Sequence, residues 1–164
     1  MRKTSRWILN RFLFGLASLP LAIAAVPAAL TGGAERAARR QVRNARRLTT
    51  APLAARPVGP VRVVAHTLAA FLPALISLLA ALMMVYLVGA AFLYPLRPDT
   101  ISTIGHPFTH DHALDGSWGG TTLVGAWLAH AAIGAGLEVA AVLVLWAMST
   151  LQLRLTGRLL RTAR

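Results

Sequence analysis

The chain has 164 residues, 56% of them hydrophobic, no cysteine and a formal charge of +12. Soluble domains average about 45–50% apolar residues, so this composition, with a mean hydropathy of +0.60, reads as membrane-embedded. The absence of cysteine excludes disulfides, thiolate metal sites and cysteine nucleophiles.

The chain opens on a short basic stretch, MRKTSRWILNR. An apolar segment over 12–31 follows, interrupted by Pro20 and Pro27 and closed by Gly32 and Gly33. Proline lacks an N–H and crowds the preceding turn, so bends are expected there. The favoured reading is a Pro-bent membrane segment that dips into the bilayer and returns as two half-helices, leaving both basic flanks on one side. A plain span is the alternative. A cleaved signal peptide would carry the next, arginine-rich region outside, against the positive-inside rule.

Residues 34–63 form that basic region. Arg36, Arg39, Arg40, Arg43, Arg46 and Arg47 recur at i, i+3, i+4, i+7, i+10 and i+11, which is one stripe of an α-helix. Ala37, Ala38, Val42, Ala45 and Leu48 fill the opposite side. Such a helix suits a headgroup surface, with its arginines on lipid phosphates, or an acidic protein partner. Nucleic acid is not expected, because no base-reading fold accompanies the stripe.

A transmembrane helix is predicted over 67–96, with His66 at its cytoplasmic edge. The loop over 97–120 contains GHPFTHDHALDGSWGG. His106, His110, His112, Asp111 and Asp115 are of metal-ligating types, and histidines titrate near physiological pH. Their spacing matches no specific metal signature, so a polar turn is the plain reading, and no cofactor is expected. Asp115, Gly116 and Ser117 are expected to cap a helix beginning near Trp118.

A second transmembrane helix is predicted over 122–148, carrying His130 and Glu138. A carboxyl in hydrocarbon is costly and faces protein or water, so an interhelical hydrogen bond is expected for Glu138. Small residues four apart (Gly125 with Ala129; Ala132, Gly136 and Ala140) permit close helix approach, and a homodimer is one arrangement this ridge allows. The chain closes on a basic cytoplasmic tail over 149–164.

Charge sets the expected topology. Sixteen of the seventeen Lys and Arg residues lie in 1–11, 34–63 and 149–164, and only Arg97 lies in the 97–120 loop. The positive-inside rule then places the basic regions in the cytoplasm and the loop outside a multi-pass protein of the cell membrane. The fold expected is an all-α helical bundle with two transmembrane helices, a Pro-bent N-terminal membrane segment and a basic amphipathic cytoplasmic helix. No Gly-rich phosphate loop, G-x-S-x-G elbow or H-E-x-x-H motif is present, so no enzyme is expected.

Several stretches together carry a family resemblance: Glu35-Arg36 in an Ala/Arg-rich loop, Tyr94-Pro95-Leu96 at a helix end, and Ser117-Trp118-Gly119-Gly120 through Ala126-Trp127 to His130. The chain resembles the sensor domain found at the N-terminus of many actinobacterial two-component histidine kinases. The resemblance implies a membrane-embedded input module of signal transduction, partnered by a kinase or response regulator. No phosphoacceptor or kinase module is present in the chain. The alternative is a small accessory subunit of a membrane transport or export complex.

Overall fold

The computed structural model describes residues 2–49, 57–93, 96 and 119–160. Their regular structure is helical: α1 (Arg2–Leu30), α2 (Ala34–Ala45) running into a 3₁₀ turn (Arg46–Leu48), α3 (Pro60–Leu87) continued by a π-helical turn (Val88–Phe92), and α4 (Leu123–Leu159). Three helices are long and apolar enough to cross a membrane: Thr4–Leu30, Pro60–Phe92 and Leu123–Leu159. The all-α expectation is met. Large apolar side chains such as Leu72, Leu79, Leu137 and Leu143 are exposed along α3 and α4, as suits lipid contact.

The re-entrant reading of the first segment is corrected. Residues 2–30 form one unbroken helix with Pro20 and Pro27 inside it. Both prolines lie on its exposed side, seven residues apart. Each forfeits one backbone hydrogen bond on that outer side, a cost of about 3 kcal/mol in a helix interior. The opposite side buries Phe14, Ala22, Ala25 and Ala29, and this packing keeps the helix continuous.

The chain then reverses sharply. Gly32 adopts φ +85°, and the Gly33 N–H donates to the Ala28 carbonyl at 2.7 Å. This is the left-handed, six-to-one closure that ends helices at glycine. The reversal sends α2 back along α1, so that Arg46 to Thr49 come beside Arg6 to Arg11.

Two compact units are distinguished, residues 1–82 with 142–164, and residues 83–141. In the first, Phe14, Ala25 and Ala29 pack with Ala34, Ala37, Ala38, Val42 and Ala45, joined by Val58, Val63 and Leu160. The core is largely alanine, so the backbones approach closely. A Cβ on Gly15 would stand 2.9 Å from the Ser77 carbonyl oxygen, which explains the glycine there.

In the second unit the Trp127 indole donates to the Phe92 carbonyl at 3.1 Å, occupying an acceptor at the end of the π-helical turn. Gly134 lies against the Ala91 methyl, and a Cβ at Gly134 would overlap it. The expected cap near Trp118 is also revised. Gly119 and Gly120 are not helical, with Gly120 at φ +85°, and α4 begins at Leu123. Thr122 serves its first turn, its hydroxyl accepting the Gly125 N–H at 3.3 Å. The helix continues past Met148 to Leu159, taking in much of the segment read as a tail.

Candidate functional site

The arginine stripe forms as its spacing predicts. Arg36, Arg39, Arg40, Arg43, Arg46 and Arg47 are all exposed. Arg39 donates to Glu35 at 2.8 Å across one helical turn. The opposite face is occupied differently from a helix lying freely on a membrane. Ala38, Val42 and Ala45 are 0%, 1% and 0% exposed, because protein covers them. Only the charged face of α2 is free to meet lipid or a partner.

Beneath α2, four helices of the first unit bring polar side chains together in an otherwise apolar interior. His66 Nε2 and Thr156 Oγ1 are hydrogen-bonded at 3.0 Å, and His66 is 4% exposed. Gln152 Nε2 donates to Ser77 Oγ at 2.9 Å and to the Pro73 carbonyl at 3.2 Å. Ser77 Oγ also donates to that carbonyl at 2.8 Å. A buried carbonyl in mid-helix takes side-chain donors on its second lone pair, and Gln152 reaches it from α4.

A cavity of about 20 Å³, lined by Ser18, Gln41, Asn44, His66, Gln152 and Thr156 among others, adjoins these groups. That is the size a single water fills. Both amide atoms of Gln41, His66 Nδ1 and Thr67 Oγ1 are buried without a protein partner. Buried polar groups in a low-dielectric interior are costly when unpaired, and the adjoining cavity offers room for one water to meet them.

Arg11 forms a second link. Its guanidinium donates to Ser149 Oγ, to Thr150 Oγ1 at 3.3 Å and to the Trp146 carbonyl at 3.2 Å. It also stands 4.7 Å from the centre of the Trp7 ring. Its Nε is buried and has no partner.

The remaining candidates from the sequence separate. His130 is exposed and Glu138 is partly buried on α4, and the hydrogen bond expected for Glu138 is not formed with any described residue. His106, His110, His112, Asp111 and Asp115 lie outside the described residues, as do Asp115 to Trp118 of the expected cap. Among the described residues no group of three potential metal ligands converges.

Sequence reasoning missed Gln41, Ser77, Gln152 and Thr156. A signal existed: Ser149, Gln152 and Thr156 recur at i, i+3 and i+7, one helical face, within a segment read only for its arginines. Comparison with protein-family models, with curated proteins and with solved structures gives no match.

Proposed function

We propose that the chain is a membrane-embedded regulatory module of signal transduction, in which α2 presents the output surface. The observation that carries this reading is the polar cluster under α2. Gln41 of α2 is buried with both amide atoms unmet, beside His66 of α3 and Gln152 and Thr156 of α4. A helix that docks its apolar face well but its polar group poorly has a nearby alternative arrangement. Movement of α3 or α4 would re-pair these groups and shift α2, which is the two-state element a signalling module needs. The resemblance to kinase sensor domains points the same way.

Charge and the α1–α2 reversal support a topology for this reading. If α1 crossed the bilayer with α2 packed along it, the arginine stripe would lie in hydrocarbon. Each arginine at the centre costs at least about 2.5–3.5 kcal/mol. We therefore read α1 and α2 as a hairpin at the cytoplasmic boundary, with α3 and α4 crossing and the 97–120 loop outside. The basic N-terminal stretch and the arginine stripe then share one side, as the positive-inside rule asks.

The partner tests the reading. A photo-crosslinking residue at Arg43, in the middle of the exposed stripe, would be activated in native membranes and the adduct identified by mass spectrometry. A kinase or response regulator is the expected adduct. A permease or transport ATPase would overturn the signalling reading in favour of an accessory subunit.

A further inference from the structure

The reversal of α2 along α1 creates a feature outside the cluster described above. Arg6, Asn10 and Arg11 of α1 and Arg46 and Arg47 at the end of α2 line one concavity, with Trp7 and Thr49 completing its wall. Its volume is about 610 Å³, within the range of about 300–1,000 Å³ usual for small-molecule sites. The stripe alone did not foretell this, because Arg6 and Arg11 are far from Arg46 and Arg47 in sequence.

Like charges gathered in a concavity repel unless an anion sits among them. The unit that holds this site has one acidic residue in its sequence, Glu35, and Glu35 is paired with Arg39 at the other end of α2. Among the described residues no carboxylate lines the concavity. Arg11 is already held in place, by Ser149, Thr150 and the Trp146 carbonyl on one nitrogen and by the Trp7 ring on its face. Its Nε is buried and closed to the concavity, so Arg11 brings fixed positive charge to the wall rather than a free fork. Guanidinium forks match phosphate oxygens two at a time, and Arg6 and Arg47 on the rim are exposed.

We propose that Arg6, Arg11, Arg46 and Arg47, with Asn10 as a further donor, form a binding site for a phosphate-bearing anion. The shared chemistry is a phosphate group with at least one unshared negative charge. Its source is either an anionic phospholipid headgroup or a soluble phosphate compound. Because Arg11 bridges to α4, occupancy stiffens the contact of α1 and α2 with the segment around Ser149.

The full chain in phosphatidylcholine nanodiscs tests this in two arms. One arm adds cardiolipin to the nanodisc and counts bound lipid by native mass spectrometry. The other adds inorganic pyrophosphate and follows binding by calorimetry. At least one arm is expected to show a single saturable site, and the arm that does so identifies the source. The Arg6→Ala/Arg47→Ala variant is expected to weaken that site at least about tenfold, the scale of a lost charge-assisted contact. The Arg36→Ala/Arg40→Ala variant removes the same charge from α2 outside the concavity and should change it less than about threefold, as screened charges outside the site do. Arg6 and Arg47 are exposed, so the variants should fold, and circular dichroism checks it. The Arg6→Lys/Arg47→Lys variant keeps the charge and should still lose affinity, because lysine cannot pair in the forked manner. Equal losses in both alanine variants would show diffuse attraction and overturn the site. Absence of saturable binding in both arms would overturn it as well.

Discussion

Gln152 is the residue on which the interior of the first unit turns. It reaches from α4 to Ser77 Oγ and the Pro73 carbonyl of α3, and all three groups are buried. Removing a partner from a buried polar group costs about 1–3 kcal/mol, whereas removing both partners costs less than the sum. Gln152→Ala is therefore expected to lower stability by about 1–3 kcal/mol. Ser77→Ala should cost less in the Gln152→Ala background than it does alone, because the Gln152–Ser77 contact is already lost while the Ser77 bond to the Pro73 carbonyl is lost in both. Thermal unfolding of the three variants in one detergent measures this. Strict additivity would mean that the contact contributes nothing to stability.

At the scale of elements, α2 shows which features were legible and why. Its period of charges and alanines set both faces correctly, because a 3.6-residue pattern survives any tertiary context. The partner of the alanine face was not legible, since lipid and α1 are equally apolar to a pattern. The prolines misled for a related reason. Pro20 and Pro27 break an isolated helix, but here they stand on the outer side while Phe14, Ala22, Ala25 and Ala29 are held by packing. The polar face of Ser149, Gln152 and Thr156 was legible in principle and was masked by the arginines around it. Val42 is 1% exposed and Arg43 is exposed, one residue apart. Val42→Asp would bury an unpaired charge and should detach α2, costing about 3 kcal/mol or more. Arg43→Ala should change stability by less than about 0.5 kcal/mol. Hydrogen exchange of the 34–45 amides reads the difference. Fast exchange in Val42→Asp and native protection in Arg43→Ala is the expected pair, and protection in both would mean that the buried face does not hold α2.

For the whole molecule, the central claim is that both basic flanks of α1 lie in the cytoplasm while α3 and α4 cross the membrane. It joins the charge distribution to the α1–α2 reversal, and the proposed output role of α2 requires it. The chain has no cysteine, so single cysteines report without background. Ser5→Cys, Thr49→Cys and Thr103→Cys, each treated on intact cells with an impermeant thiol reagent, test it most directly. The account predicts labelling at 103 alone, with 5 and 49 modified only after the membrane is opened. Labelling at 5 with protection at 49 would mean that α1 crosses by itself, and would contradict the account.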